Sequence, residues 1–204
     1  MSATADLANH SDDVVIGKVA RSILNERIDA AVVRLNGNRE LRPEIFSYLD
    51  AAEDEINKTP LSSLGGIINT PGSFLTNEQI RQKIEAYLAN KEDPAARAGV
   101  RVFKSGARTG LTYGLMTAVE DTWRTNDDGS QHYFTMQVKI EEDPDNPMEV
   151  SDSGDSGSLW IHRETMAIAA LNHSGSTDPA INFAYGSRIE DVINELKIYF
   201  ASRA

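Results

Sequence analysis

Residues 151–160 read SDSGDSGSLW, and this short stretch does most to define the protein. Gly154 and Gly157 flank a serine, and an apolar segment follows at once. A tight turn of this kind can expose the Ser156 hydroxyl while its backbone amides point into a common concavity, as an oxyanion hole requires. The pattern predicts acyl transfer at Ser156, although glycine, aspartate and serine also form ordinary turns.

The sequence around this turn predicts antiparallel β-structure. From Gly99 onward, short segments of alternating polarity are separated by turn residues at regular intervals, which is typical of a β-barrel or sandwich. Position 158 is serine where the G-x-S-x-G elbow of α/β-hydrolases needs glycine, so that fold is disfavoured. An apolar stripe near the end predicts a C-terminal helix on the barrel, with Ile189, Val192, Ile193, Leu196 and Phe200 on one face.

The N-terminal half predicts a hairpin followed by helices. Residues 13–23 and 28–35 have the alternation of two strands, and an Asn-Gly-Asn turn follows them. Residues 43–56 and 77–91 have helical spacing. Thr76 and Gln79 form a capping box at the start of the second helix, whose apolar face contains Ile80, Ile84, Tyr87 and Leu88. We therefore expect residues 1–40 and 99–204 to be β-structure and residues 41–98 to be a helical insertion.

Composition excludes several classes of protein. The chain has 204 residues and a formal net charge of −11, which argues against a nucleic-acid-binding groove. It has no cysteine, so a thiol nucleophile, a disulfide framework and a cysteine zinc site are excluded. Eleven acidic residues against two basic ones lie between Glu120 and Asp155, which predicts either an acidic rim near Ser156 or a solvated face.

The cellular location and the cofactor requirement are predicted from sequence features that are absent. No apolar stretch approaches the roughly 18 residues that cross a bilayer, and the first residues are polar and acidic. We therefore expect no membrane association, and a cytoplasmic location if the chain begins at Met1. The acidic run around Asp143 lacks the spacing of an EF-hand, and we expect no metal or other cofactor.

Three segments carry a resemblance to a known family. GDSGSL at residues 154–159 resembles the nucleophile region of the chymotrypsin-like (trypsin-fold) serine peptidases. VFKSGARTGLTYG at residues 102–114 is similar to the strand and turn that open the second barrel in their bacterial and plant narrow-leaf-type members. RIDAAV at residues 27–32 is similar to the segment that holds the triad aspartate. The resemblance implies a mainly β, trypsin-like antiparallel fold with a complete second barrel, a partial first barrel, the helical insertion and the C-terminal helix.

The resemblance also implies roles for individual residues. Ser156 would be the nucleophile of a serine endopeptidase, with the amides of Gly154 and Ser156 as oxyanion hole and Asp29 as triad aspartate. The segment LNHSGS would bind substrate backbone and line the specificity pocket, through His173, Ser174 and Gly175. The implied partner is a protein or peptide substrate, and no cofactor is required.

The general base is the point at which the sequence departs from the family. The family histidine precedes the aspartate, and His10 is the one histidine before Asp29, in a polar segment preceded by only nine residues. His10 is therefore the candidate base. Three explanations for the missing family motif stay open: a start codon placed too far downstream, self-association or a partner that completes the first barrel, or a catalytically inactive binding or scaffold protein. Asp29 itself is expected to be a buried carboxylate bound to an imidazole, or a cap of the turn near Asn25.

Overall fold

The computed structural model describes residues 17–37, 73–126, 128–176 and 181–198. The predicted helix of residues 43–56, the candidate base His10 and the stripe residue Phe200 lie outside these ranges. The division into three regions stays a prediction for the same reason. The described elements are β1 Gly17–Leu24, β2 Asp29–Leu35, α1 Asn77–Ala89, α2 Pro94–Ala98, β3 Arg101–Gly106, β4 Gly110–Thr125, β5 Gln131–Glu142, β6 Leu159–His162, β7 Ile168–Gly175, β8 Phe183–Arg188 and α3 Ile189–Leu196.

The predicted strands after Gly99 close into a barrel of six strands. Their order is β3-β4-β5-β8-β7-β6, and every neighbouring pair is antiparallel. Closure pairs strand edges that would otherwise be exposed. Trp160 is the largest fully buried side chain of the core. The mainly β, antiparallel fold expected from the alternating pattern is confirmed.

The two N-terminal strands form the predicted hairpin. Strands β1 and β2 make a two-stranded sheet that is separate from the barrel sheet. Ile28 and Ala30 of this hairpin form a second apolar cluster with residues of α3. The helix α3 therefore lies between the hairpin and the barrel, and its buried residues are Ile189, Val192 and Leu196.

Helix α1 begins as predicted. The Thr76 hydroxyl accepts from the Gln79 amide at 3.2 Å, and the Gln79 side chain accepts from the Thr76 amide at 2.9 Å. Ile80, Ile84 and Tyr87 are buried. The prediction for Leu88 is wrong: this side chain is 49% exposed, since it lies at the edge of the apolar stripe. No helix among the described residues is long and apolar enough to span a membrane.

Candidate active site

The carboxylate of Asp155 anchors the glycine-rich turn of residues 154–157. Its Oδ2 accepts from the Lys104 ammonium at 2.8 Å and from the Thr109 hydroxyl at 2.6 Å. Its Oδ1 accepts from the backbone amides of Arg108 and Thr109, at 2.8 and 3.1 Å. The turn is thereby fixed to β3 and to the connection between β3 and β4.

The ion pair between Lys104 and Asp155 is fully enclosed, since neither side chain has exposed surface. Burial alone would raise the pKa of Asp155. The Lys104 ammonium and the Thr109 hydroxyl outweigh that effect and hold the pKa of this carboxyl well below its usual range. Lys104 also lies beside Trp160, with its Nζ 5.4 Å from the ring centroid. Removal of either charge would leave the other buried and uncompensated.

The backbone on either side of Ser156 has conformations that favour glycine. Gly154 has φ +109° and Gly157 has φ +92°. The Gly157 amide donates to the Asn172 carbonyl at 2.8 Å, which ties the end of the turn to β7. Among the described residues, the amides of Gly154 and Ser156 have no hydrogen-bond acceptor. These two amides, the ones the sequence resemblance implies for an oxyanion hole, are therefore available to a ligand.

Strand β7 continues past the end of β6 and passes beside Ser156. Its last pair with β6 involves Leu171; a bulge at His173 interrupts its ladder with β8, and Ser174 and Gly175 pair with β8 alone within the described part of the chain. The Ser156 hydroxyl donates to the His173 carbonyl at 3.3 Å. The Ser176 amide donates to the Phe183 carbonyl of β8 at 3.0 Å, and neighbouring residues of a strand direct their backbone groups to opposite edges, so the amide and carbonyl of Gly175 are directed away from β8. The structure thus brings together Ser156 and the predicted substrate-binding segment.

The imidazole of His173 is buried and bonded at both nitrogens. Its Nε2 lies 2.9 Å from the Gln137 amide oxygen, and its Nδ1 lies 3.0 Å from the Ser174 hydroxyl. The Gln137 nitrogen donates to the carbonyls of Arg27 and Thr135, so its oxygen faces His173 and Nε2 must donate. Burial lowers the pKa of His173 to about 4. The ring is therefore neutral at pH 7 and fully engaged.

This buried imidazole makes the stability of the protein depend on pH. The folded-state pKa of His173 is about 4, against an ordinary value of 6.5. Between these values the unfolded chain binds more protons, so the free energy of unfolding falls as the pH drops from 6.5 to 4, by about 3 kcal/mol. Urea unfolding at pH 7.5 and pH 4.5 measures this loss.

The variant His173→Gln is the control for that pH dependence, because glutamine can donate to Gln137 but does not titrate. We expect its difference in unfolding free energy between the two pH values to be smaller than that of the unmodified protein by about 3 kcal/mol. An equal difference in both proteins would assign the acid sensitivity to other groups.

None of the described imidazoles contacts the Ser156 hydroxyl. The Nε2 of His132 bonds to the Asn25 carbonyl at 3.0 Å. His162 is buried, and its nitrogens bond to a threonine hydroxyl and a backbone carbonyl. The candidate base His10 lies outside the described residues. Its assignment as general base stays a prediction.

Asp29 opens β2 and forms an ion pair with Arg124 of β4. Its side chain is 38% exposed, so the expectation of a buried carboxylate is wrong; the guanidinium and solvent satisfy it instead. The cap of the preceding turn is Asn25, whose Oδ1 accepts from two backbone amides. Burial is the main cause of the lowered pKa of His173; the Arg124 charge lowers it further, and the charge of Asp29 opposes this. Its role as triad aspartate stays a prediction.

The acidic run of residues 120–155 is partly neutralised in space. Arginines from α2 and β3 reach it, as do Lys104, Arg108 and Lys139. The sequence suggested a more negative surface than the fold produces, because these cations come mostly from outside the run. No group of three or more metal-ligating side chains is present among the described residues. The carboxylates in ion pairs are Glu120, Glu141, Asp143, Asp145, Asp152 and Asp155.

Sequence reasoning assigned no role to Lys104 or Gln137. Lys104 did carry a signal, since it is the single cation in the otherwise apolar and small segment of residues 102–106, and Asp155 was an acid that needed a partner. Gln137 carried no such signal in the sequence, because a glutamine is common on the exposed face of an alternating strand. It is 1% exposed here.

Comparisons with known proteins bear on the fold. No sequence-family model and no curated protein matches the chain. Solved structures that it resembles include Thermobifida fusca protease A, Nocardiopsis protease and Cellulomonas bogoriensis chymotrypsin, each with a TM-score of 0.56. The first match has 17% identity and covers 92% of this chain and 75% of the other. The second has 17% identity over 91% and 74%, and the third 16% over 92% and 76%. The chain therefore has the β-barrel fold of chymotrypsin-like bacterial proteases.

Proposed function

We propose that this chain is a serine endopeptidase-type hydrolase that acts through an acyl-enzyme on Ser156. The observation that carries the proposal is the anchored turn, which holds the Ser156 hydroxyl 3.3 Å from the carbonyl of His173, at the open edge of β7. The enclosed Lys104–Asp155 pair holds that turn in place. A nucleophile beside a strand edge suits a substrate that is itself an extended chain.

The proposed reaction uses the geometry of the turn. The Ser156 oxygen attacks the peptide carbonyl carbon, and its proton passes to a base. The resulting oxyanion accepts hydrogen bonds from the amides of Gly154 and Ser156, which have no other acceptor among the described residues. The carbon–nitrogen bond then breaks, the amine leaves with the proton, and water hydrolyses the Ser156 ester.

The substrate would add to the barrel as an extended strand. The His173 carbonyl and the backbone groups of Gly175 face the Ser156 side of β7, and a peptide can pair with them. The His173 imidazole is occupied by Gln137 and Ser174, so we assign substrate contact to the backbone of this segment. The substrate class is accordingly a protein or peptide.

The general base would be an imidazole oriented by Asp29. The candidate within the chain is His10; the alternative is an imidazole on strands supplied by a partner or a second copy, as in a first barrel completed from outside. The similarity of residues 102–114 to the narrow-leaf-type members supports our assignment of this chain to the trypsin-fold peptidases.

A second candidate is a catalytically inactive trypsin-fold protein that binds or scaffolds peptides. The observation that favours it is the Ser156 hydroxyl, which donates to a backbone carbonyl instead of an imidazole in the described part of the chain. An unactivated serine is a poor nucleophile at neutral pH. Such a protein would bind an extended peptide along β7 without cleaving it.

A fluorophosphonate probe separates the two functions. We expect the full chain to be labelled on Ser156, and Ser156→Ala to abolish labelling. Ser153→Ala, an exposed serine of the same loop, is the matched control and should label normally. Absence of labelling in the folded full-length protein, alone and with cell extract as a source of partner, would reject the peptidase.

The variant His10→Ala tests the base. If His10 takes the Ser156 proton, the labelling rate should fall at least about 100-fold, the lower range for loss of general-base catalysis. An unchanged rate would show that His10 is not the base.

A further inference from the structure

Arg124, near the end of β4, has a side chain that is held on three sides. Its guanidinium forms an ion pair with Asp29 and lies over the Phe134 ring, with the guanidinium carbon 5.1 Å from the ring centroid. Its Nε donates to the Asn126 side chain at 3.2 Å. Ring stacking and directed hydrogen bonds both depend on the plane of a guanidinium, so these contacts fix its orientation.

The contacts of Arg124 continue to the strand beside Ser156. The Phe134 ring has no exposed surface, and its centroid lies 4.7 Å from that of the His173 ring. The His173 carbonyl in turn accepts from the Ser156 hydroxyl at 3.3 Å. The Phe134 ring therefore links Arg124 to the residue that contacts Ser156.

The turn before Asp29 is fixed to strand β5. Three consecutive backbone carbonyls of this turn accept hydrogen bonds from β5. They are those of Asn25, Glu26 and Arg27, which bond to the His132 ring at 3.0 Å, the Thr135 amide at 2.6 Å and the Gln137 side chain at 2.9 Å. The backbone position of Asp29 is thereby set, and the direction of its carboxylate is the freedom that remains.

The direction of the Asp29 carboxylate depends on its partners, because the last torsion of an aspartate side chain has only a broad, roughly two-fold preference. This side chain is 38% exposed, so it has room to rotate into solvent. Arg124 binds its Oδ2. Oδ1 accepts no hydrogen bond from the part of the chain that the structure describes. The ion pair thus holds one oxygen and leaves the other available.

The proposed reaction needs this second oxygen. A triad aspartate acts by accepting a hydrogen bond from the imidazole of the general base, which fixes the tautomer and the direction of the ring. We infer that Arg124 is a positioning residue: by holding Oδ2 of Asp29, it presents Oδ1 to that imidazole. This inference rests on the proposed function, in which Asp29 orients the base. It assigns Arg124 no contact with the substrate.

Fluorophosphonate labelling of Arg124→Gln tests the effect on the reaction. Glutamine cannot form an ion pair with Asp29, so the carboxylate would lose its fixed direction, and we expect the labelling rate of Ser156 to fall at least about tenfold. Arg97→Gln is the matched control, since the Arg97 side chain is 26% exposed, against 20% for Arg124, and also pairs with an aspartate. It should label at the rate of the unmodified protein. A fall in both variants, or in neither, would overturn the inference.

The effect of Arg124 should disappear when Asp29 is altered, because a positioning residue acts through its partner. Asp29→Asn keeps the shape of the side chain and should lower the labelling rate at least about 100-fold. Adding Arg124→Gln to Asp29→Asn should change the remaining rate by less than about twofold. A merely structural role of Arg124 would lower the rate by the same factor in both backgrounds, and that result would overturn the inference.

Guanidinium ion tests the missing group itself. Arg124→Ala leaves a space where the partly exposed side chain was, so a small cation can enter. Guanidinium chloride, far below the concentrations that unfold proteins, should raise the labelling rate of Arg124→Ala and should not raise that of Asp29→Asn. Sodium chloride at equal ionic strength is the control. Equal responses of Arg124→Ala to the two salts would overturn the inference.

The failure of the inference and the failure of the proposed function have different signatures. If the unmodified protein labels and Arg124→Gln labels equally fast, the inference fails and the peptidase proposal stands. If the unmodified full-length chain does not label, alone or with cell extract as a source of partner, both are rejected. Urea unfolding under the labelling conditions checks that each variant is folded.

Discussion

Lys104→Met is expected to lower the free energy of unfolding by about 3 to 5 kcal/mol, the usual cost of removing one partner from a buried ion pair. The methionine fills much of the same volume, so the loss comes from charge. Asp155 would remain enclosed with three backbone amides and a hydroxyl but no cation. Urea unfolding at pH 7 measures the change.

The same substitution should release the turn that carries Ser156. Asp155 would regain proton affinity, and its contacts to Thr109 and Arg108 would weaken. We expect fluorophosphonate labelling to fall at least about 100-fold, because the amides of Gly154 and Ser156 would no longer be held together. Labelling measured well below the unfolding transition separates this effect from loss of fold.

Two variants serve as controls for Lys104→Met. Arg108→Ala removes a side chain that pairs with Asp152 at the surface and retains the amide bonded to Asp155, so it should cost less than about 1 kcal/mol. Lys104→Arg retains the charge and should lose less stability than Lys104→Met. If Lys104→Met and Arg108→Ala were equally mild, the buried pair would not anchor the turn.

Trp160→Ala is the second large effect, and should cost about 3 to 5 kcal/mol of unfolding free energy. Trp160 has no exposed surface and lies in the centre of the barrel core. Its indole donates to Asn172, and its ring lies beside the Lys104 ammonium. The substitution therefore removes packing, one buried hydrogen bond and part of the surroundings of the ion pair. Calorimetry or urea unfolding measures the loss.

The second tryptophan provides a matched comparison. Trp123 is 63% exposed and its ring packs at a tilt against that of Tyr133, with centroids 4.8 Å apart. Trp123→Ala should cost no more than about 1.5 kcal/mol, the range for an aromatic pair. The changes at Lys104 and Trp160 should also fail to add, since the two side chains are in contact. Additive losses would show that the core and the anchored turn are independent.

Much of the fold could be predicted because its signals are local. The strands of the hairpin and barrel follow from alternation and turn residues, and the start of α1 follows from the Thr76–Gln79 capping box. The prediction for Leu88 failed because an apolar stripe on a helix does not show how far the surface that packs against it extends. The prediction of a buried Asp29 carboxylate failed because the sequence does not show that Arg124 lies opposite it.

The sequence by itself determined the antiparallel β class and the glycine-flanked turn that presents Ser156, since both depend on residues close together in the chain. Only the tertiary structure decided the environment of that turn. Lys104 and Asp155 are 51 residues apart, and His173 and Gln137 are 36 apart. Such pairs meet because the strands of the barrel are aligned in one register. The register depends on the whole sheet and cannot be predicted from the spacing of residues within a short segment.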